Sequence, residues 1–309
     1  MIYLTYNDVP SGIYSSQVMD VCNFMNEKLN ANIRLIAVIS IRNFLNNKRK
    51  IKAECPTAIV LPMFPQPKNW IFNYAILFVV FLFLGRQCVI ARGPFAASLA
   101  LGLKKKNIIK SVCFDARGAY HAEFNEYNVS NSEKINKNIF EIEKNALLNS
   151  DFRTSVSHKL VTYWNEKFEY NKEKHVIIPC TFNSKKKRII YNYQFIHDQR
   201  LSLGFSDDDI IFVYSGSSAG WQSLNLLDDF LCALMKQNHK IKILFLIDKF
   251  PEGMKLMNEY SEKVSVRWYS EDKVADVVAS CDYGLLIREN SITNNVSSPV
   301  KFAEYLASG

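Results

Sequence analysis

The chain has 309 residues, of which 48% are hydrophobic and 22% charged, and its formal net charge is +8 at pH 7. This length allows two domains with separate cores, and the composition is that of a globular protein, which excludes a disordered or fibrous one. The seven cysteines stand singly, with no Cys-x-x-Cys pair and no Cys/His cluster. This pattern argues against a zinc site and a disulfide framework and favours the reducing cytoplasm.

Short apolar or β-branched runs alternate with stretches that are long enough for helices. The first series of predicted strands is Ile2 to Tyr6, Ile33 to Ile39, Thr57 to Leu61, Gln87 to Ala91, Ile109 to Phe114, Phe152 to Val156 and Val176 to Pro179. The second series is Ile210 to Ser215, Ile241 to Ile247, Val264 to Trp268 and Tyr283 to Ile287. The alternation predicts an α/β protein with two doubly wound parallel sheets. The polar, basic stretch Phe182 to Arg188 predicts a linker between domains 1–183 and 184–309.

One apolar segment is long enough to raise the question of a membrane span. Trp70 to Leu84 covers about 15 residues, whereas a spanning helix needs roughly 20. A buried helix is therefore predicted. The net positive charge suits phosphate-bearing substrates or peripheral contact with the inner face of an anionic membrane. The basic runs 104–106 and 185–188 are short and lack interleaved aromatic residues, so no nucleic-acid partner is predicted.

Candidate binding residues follow two predicted strands of the first domain. Gly12 lies in the polar turn after the first strand, where a residue without Cβ lets a ligand approach the backbone. A plain turn with a serine cap explains that turn equally well. Asp115 and Arg117 end the fifth strand. Asp115 is predicted to orient a substrate hydroxyl, and Arg117 either binds phosphate or pairs with a nearby carboxylate such as Asp115.

The second domain offers a loop suited to a pyrophosphate. Ser215, Gly216 and Ser217 follow a strand directly and carry N–H and hydroxyl donors. Tyr269, at the end of the third strand of this domain, is a candidate stacking partner for a base, with an ordinary core or surface aromatic as the alternative.

The last residues, Ser297 to Gly309, predict a helix start that binds an anion. Ser298 is predicted as the N-cap and Pro299 as the first helical residue, which presents unpaired N–H groups. Lys301 and Glu304 lie about one turn apart, so that a cation would face a phosphate and a carboxylate would face sugar hydroxyls. The alternative is a surface helix with a Lys/Glu pair.

The stretch Arg288 to Gly309, RENSITNNVSSPVKFAEYLASG, resembles the nucleotide-sugar-binding motif of retaining glycosyltransferases of the GT-B fold, and of glycosyltransferase family 4 in particular. In that family SPxKxxEYLAxG is a common form, and two glutamates bracket the donor sugar and the ribose. Glu304 matches the second glutamate, whereas Val296 stands in place of the first. The segment Asp115-Ala116-Arg117-Gly118 resembles the D-x-R-G segment of the polysaccharide-type members.

The resemblance implies two Rossmann-like domains that face a cleft, and a sugar transfer with retention to a polysaccharide or lipid-linked oligosaccharide. A nucleotide-diphosphate sugar would be the co-substrate, with no cofactor and no metal. Arg288 and Lys301 would stabilise the diphosphate, while Glu304 would accept hydrogen bonds from the ribose. Family members continue beyond the position of Gly309, so the second domain is predicted to be truncated. The alternatives are an epimerase of the same fold and an inactive, truncated binding subunit.

Overall fold

The protein is described here by a computed structural model that covers residues 1–64, 67–129, 132–181 and 192–309. Its contacts divide the chain into unit 1, Met1–Thr181 with Ser291–Ser298, and unit 2, Phe182–Asn290 with Pro299–Gly309. The domain predicted as 184–309 therefore includes a short segment that the structure groups with unit 1. The predicted linker, 182–188, lies outside the described residues.

Unit 1 contains a seven-stranded sheet in the order β3-β2-β1-β4-β5-β6-β7, and all of its pairings are parallel. Its strands are β1 (Ile2–Tyr6), β2 (Arg34–Ile39), β3 (Ile59–Pro62), β4 (Cys88–Arg92), β5 (Ser111–Asp115), β6 (Phe152–Ser155) and β7 (His175–Ile177). Unit 2 contains a four-stranded parallel sheet in the order β10-β9-β8-β11. Its strands are β8 (Ile210–Ser215), β9 (Ile241–Leu246), β10 (Val264–Arg267) and β11 (Tyr283–Gly284). The prediction of two parallel α/β sheets is confirmed.

Helices connect the strands, as crossovers between parallel strands require. They are α1 (Gly12–Tyr14), α2 (Asp20–Leu29), α3 (Phe44–Glu54), α4 (Asn73–Leu84), α5 (Gly93–Lys105), α6 (Tyr120–Tyr127), α7 (Glu133–Asn149), α8 (His158–Phe168), α9 (Tyr193–Leu203), α10 (Leu224–Met235), α11 (Lys255–Tyr260), α12 (Glu271–Ala279), α13 (Ile292–Val296) and α14 (Val300–Ser308). A π-helical turn, Ser15–Met19, joins α1 to α2, and a 3-10 segment, Pro67–Phe72, precedes α4.

The sheet of unit 1 is buried on both faces near β1. Ile2 and Leu4 face one apolar cluster, and Tyr3 faces the other. Such double burial explains why central parallel strands read as continuous apolar runs. Strand β4 leads directly into α5 at Gly93, where φ is +77°. A Cβ at this position would lie 2.8 Å from the Tyr120 hydroxyl, so the close approach requires glycine.

Helix α4 corrects one expectation. The apolar run forms a helix as predicted, but only the side of the helix that carries Leu77 and Phe81 is buried. The side chains of Val79, Leu82 and Phe83 are exposed. A residue sequence that is apolar on every side of a helix cannot show which side is covered. Among the described residues, none of the helices combines the length and the apolar character that crossing a bilayer requires.

Candidate functional site

Each sheet has one position where the order of the strands reverses, and ligands of open α/β sheets bind beyond the carboxyl ends of the strands at that position. It lies between β1 and β4 in unit 1 and between β8 and β11 in unit 2. The predicted residues Gly12 and Arg117 follow β1 and β5, and Asp115 is the last residue of β5. In unit 2, Ser215 ends β8, Gly216 and Ser217 follow it, and Arg288 follows β11.

Two tyrosines hold the loop that follows β8. The Ser215 N–H donates to the Tyr305 hydroxyl at 3.1 Å, and the Gly216 N–H donates to the Leu246 carbonyl at 3.3 Å. The Tyr214 hydroxyl donates to the Ser217 carbonyl at 2.7 Å. The expectation that the Ser215 and Gly216 N–H groups are open to a pyrophosphate is therefore wrong, because both already donate within the protein. Ser217 is exposed and remains a candidate.

Tyr305 fastens α14 to the sheet of unit 2 at this point. Its hydroxyl also lies 3.3 Å from the Leu285 carbonyl, just past β11. Its ring packs over Gly284, where a Cβ would lie 2.5 Å from the ring atoms Cγ and Cδ2. Burial raises the pKa of Tyr305, so the hydroxyl stays neutral and can serve as donor and acceptor at once. Nothing in the sequence marks Tyr305 as a residue that positions the site.

We expect Gly284→Ala to lower the free energy of unfolding of unit 2 by about 1–3 kcal/mol, because the added methyl overpacks against the Tyr305 ring. Hydrogen exchange should then be faster at the Ser215 amide, which loses its acceptor. The control is Tyr305→Phe, which removes the hydroxyl without adding volume and should cost about 1 kcal/mol. If Gly284→Ala has the same stability and the same exchange rate as the wild type, the Tyr305 ring moves aside freely.

Arg288 faces the β8 loop from the end of β11. Its Nη2 donates to Oε1 of Gln222 at 3.3 Å. Burial raises the pKa of Tyr214 to about 12, and the charge of Arg288 opposes that rise. Next along the chain, the Glu289 N–H donates to Oγ of Ser223 at 3.0 Å, which ties the two loops together. The structure thus brings a cation to the edge where the sequence analysis expects a diphosphate.

Lys301 and Glu304 form an ion pair on α14. Lys301 Nζ lies 2.6 Å from Oε2 of Glu304, and the side chains are 28% and 30% exposed. The pairing of Lys301 with Glu304 is therefore present, and their roles toward phosphate and ribose stay a prediction. Lys301 also stands about one turn before Tyr305, so it lies near the helix face that meets β8.

The predicted N-cap of this helix is wrong. α14 begins at Val300, after Pro299, whose ψ of 122° is extended, and no side chain caps the helix start. Ser298 Oγ instead accepts a hydrogen bond from the Cys180 N–H at 3.0 Å, within unit 1. The Ser298 hydroxyl therefore has a structural partner and does not cap the helix start.

Tyr269 is half-buried and packs against the apolar cluster of unit 2 that includes Val277. This is the position of an ordinary core aromatic, which the sequence left open as the alternative to a stacking partner for a base.

Asp115 lies at the centre of a buried polar network in unit 1. It accepts a short hydrogen bond from the Tyr3 hydroxyl and another from Thr154 Oγ1 at 2.7 Å. Arg117 Nη1 lies 3.5 Å from its Oδ1, and Arg92 Nη1 lies 3.9 Å from its Oδ2. Burial raises the pKa of Asp115, but the two guanidinium groups and the two hydrogen bonds outweigh burial, so the net pKa is lowered. The carboxylate is therefore ionised and well occupied by protein partners.

Arg117 pairs with Asp115, which is one of the two roles that the sequence left open. Its Nη2 also donates a short bond to Oε1 of Gln17 and lies 3.2 Å from the Cys180 sulfur.

Gly12 begins α1 on the exposed surface, and the Tyr14 N–H donates to Oγ of Ser11, 3.5 Å away. This geometry is the serine-capped turn that the sequence analysis kept as the alternative.

The sequence assigns no role to two charged residues at this edge, Arg92 and Asp8, and suggests a third, Glu123, only as a possible partner of Arg117. Arg92 ends the otherwise apolar β4, and its Nε lies 3.9 Å from Oδ2 of Asp8, which follows β1. Burial raises the pKa of Glu123, in the first turn of α6, to about 7. A charged residue in the last position of an apolar strand, as Arg92 is, was a visible indication. The burial of Glu123 was not visible in the sequence.

Comparison with known proteins shows the fold. No protein-family model matches the chain, and no curated protein does. It is similar to the solved structure of a glycosyltransferase from Rickettsia africae, with a TM-score of 0.66, 14% identity, and coverage of 93% of this chain and 72% of that one. WaaG, a glycosyltransferase involved in lipopolysaccharide biosynthesis, gives a TM-score of 0.67 and 11% identity, over 100% of this chain and 79% of WaaG.

A third similar structure is the UDP-GlcNAc 2-epimerase from Neisseria meningitidis bound to UDP-GlcNAc. Its TM-score is 0.59 at 12% identity, over 99% of this chain and 90% of the epimerase. At these identities the likeness establishes the architecture alone. The chain has the GT-B fold, as the sequence motif predicted.

Proposed function

We propose that this chain is a glycosyltransferase that moves a sugar from a nucleotide-diphosphate donor to a polysaccharide or lipid-linked oligosaccharide, with retention at the anomeric carbon. The proposal rests chiefly on one observation. Arg288 follows β11, and Lys301 and Glu304 stand on α14. Tyr305 joins α14 to Ser215 at the end of β8 and to Leu285 after β11. The Glu289 N–H joins the segment after β11 to Ser223, directly before α10. Retention and the type of acceptor come from the motif resemblance.

The charges of these residues fit a diphosphate leaving group. As the sugar departs, negative charge develops on the diphosphate, and each cationic donor that is already in place lowers the barrier by about 3 kcal/mol. Arg288 is held by Gln222, and Lys301 is held by Glu304, so both cations are oriented before the donor binds. A carboxylate accepts several hydrogen bonds at once, so Glu304 can hold Lys301 and the ribose hydroxyls together.

The similar structures support a donor of this class. The Neisseria epimerase was solved with UDP-GlcNAc, and the Rickettsia protein and WaaG are glycosyltransferases. The likeness to the epimerase also favours a second candidate function, the epimerisation of a nucleotide sugar. The two activities differ in their need for an acceptor. A new nucleotide-sugar isomer without acceptor would identify an epimerase, and labelled sugar in a glycan or lipid fraction would identify a transferase.

The proposal predicts that Lys301→Ala weakens the binding of nucleotide-diphosphate sugars by about tenfold or more, because one charge-assisted hydrogen bond to phosphate is lost. Calorimetry with UDP-, ADP- and GDP-sugars measures this loss. Lys255→Ala is the matched control, since Lys255 forms a pair with Asp229 at the same 2.6 Å, on α11 of unit 2. It should leave affinity unchanged.

Two results would contradict this assignment. One is a wild-type chain that binds none of these nucleotides. The other is an equal loss of affinity in Lys301→Ala and Lys255→Ala, which would mean that only the general positive charge matters. Tight donor binding without turnover would instead point to the binding-subunit alternative.

A further inference from the structure

An apolar stripe runs along the outer side of α4 and the 3-10 segment before it. It consists of Ile71, Phe72, Val79, Leu82 and Phe83, which are between 51% and 87% exposed. Phe83 has the largest exposed fraction. At 3.6 residues per turn, Val79, Leu82 and Phe83 fall on one side of α4 within an arc of roughly 100°, and Ile71 and Phe72 precede them in the 3-10 segment. The opposite side, with Leu77 and Phe81, packs into the core of unit 1.

The composition of α4 departs from that of a surface helix. Its twelve residues, NYAILFVVFLFL, include no charged side chain. A helix at a protein surface ordinarily places charged and polar residues on its outer side. A contiguous exposed apolar area of this kind marks a surface that contacts a partner or a lipid.

Basic residues surround one end of the stripe. The carboxyl ends of α4 and α5 lie at the same edge of the sheet, because the strands that follow these helices, β4 and β5, are parallel neighbours. The Lys110 N–H donates to the Gln87 carbonyl at 2.8 Å, which joins the two segments at this edge. Arg86, Lys105, Lys106 and Lys110 are exposed there, and none of them forms an ion pair with another of the described residues.

We propose that this apolar stripe and its basic edge dock unit 1 onto a lipid surface that carries anionic headgroups. The inference goes beyond sugar transfer and does not depend on it. The choice of lipid follows from the combination of the two features, since aromatic and aliphatic side chains insert among acyl chains while adjacent Lys and Arg meet negative headgroups. Helix α4 would lie in the plane of the interface, because its Leu77 side remains packed on the protein.

Vesicle sedimentation with the full chain tests the proposal. The wild-type protein should bind vesicles of mixed phosphatidylcholine and phosphatidylglycerol more tightly than vesicles of phosphatidylcholine alone. Phe83→Asp should lower the partition coefficient onto the mixed vesicles by about tenfold or more, because a large apolar side chain is no longer buried in lipid. Lys105→Ala with Lys106→Ala should reduce the preference for the anionic vesicles, and added salt should do the same.

Leu45→Asp is the matched control. Leu45 is 70% exposed on α3, an exposed apolar side chain elsewhere on unit 1, and its replacement should leave vesicle binding unchanged. Equal effects of Leu45→Asp and Phe83→Asp, or no binding by the wild type, would overturn the proposal. So would a wild-type dimer in light scattering that Phe83→Asp converts to a monomer while vesicle binding stays constant, since the stripe would then contact a second copy of the chain.

Discussion

Replacing Asp115 with alanine is expected to lower the free energy of unfolding of unit 1 by about 3–5 kcal/mol, the cost of removing one partner of a buried ion pair. The reason is the charge that remains. Without the carboxylate, the Arg117 side chain, 15% exposed, loses its ion pair, and the Arg92 side chain, 11% exposed, keeps only its 3.9 Å contact with Asp8. The Tyr3 hydroxyl and Thr154 Oγ1 also lose their acceptor. Hydrogen exchange of peptides from β4 and β5, followed in urea, measures the loss within unit 1.

Two variants control for this result. Asp115→Asn keeps the shape and one acceptor oxygen but removes the charge, so it should fall between the wild type and Asp115→Ala. Asp151→Ala breaks a 2.6 Å pair with Lys104 in the same unit, but both of those side chains are 32% exposed. Solvent screens such a pair, but Asp151 Oδ2 also accepts the Val112 N–H at 2.8 Å, so the two losses together should cost about 2 kcal/mol. A cost for Asp115→Ala no greater than that for Asp151→Ala would show that the network is not a major source of stability.

The sequence predicted the fold well because parallel strands near the centre of a sheet are buried on both faces. Ile2–Tyr6 and Ile210–Ser215 were located to the residue for this reason. The predicted ends of other strands differ by one or two residues, except that β11 was expected to end at Ile287 and ends three residues earlier, at Gly284. β5 was expected to end at Phe114, and it ends at Asp115. That difference matters, because Asp115 lies within the strand pairing and faces its neighbours on the sheet.

The partners of the site residues could not be read from the sequence, since they depend on strand order and register. Arg92 pairs with Asp115 because β4 lies beside β5 with these two residues in register. Tyr3 reaches Asp115 from β1, one strand further along the sheet. Ser298 was expected to cap α14, but its hydroxyl has a partner in Cys180, which is distant in sequence. The motif Lys301 to Glu304 was visible because its two members lie on one helix.

The free energy of unfolding of unit 1 should fall as pH rises from about 5 to about 8, because of Glu143. This side chain has no exposed surface. Its carboxyl oxygens accept the N–H groups of Tyr120 at 3.2 Å and His121 at 2.7 Å, at the start of α6. Burial raises the pKa of Glu143 to about 8, although the two hydrogen bonds oppose that rise. The sequence suggested no function for this glutamate, which lies in a helix of mixed charge.

The direction of the effect follows from proton linkage. A carboxyl whose pKa is higher in the folded state than in the unfolded state adds stability that is fully present below the unfolded value, about 4.3. The stability is lost as pH rises through the folded value of about 8. At about 1.4 kcal/mol per pH unit, the free energy of unfolding should fall by about 4 kcal/mol between roughly pH 5 and pH 8. Glu123, with its pKa raised to about 7, acts in the same direction, whereas His121, with a lowered pKa, acts in the opposite one.

Glu143→Gln isolates the contribution of this one side chain, because the amide cannot ionise. The variant loses one acceptor oxygen, which should cost about 1 kcal/mol at pH 5. Its free energy of unfolding should vary less with pH than that of the wild type. The variant should therefore be the more stable of the two proteins near pH 9. Glu123→Gln serves as the comparison from the neighbouring helix and should flatten the profile less. If Glu143→Gln is less stable than the wild type at every pH, the carboxylate is charged throughout and the N–H groups of α6, not burial, set its pKa.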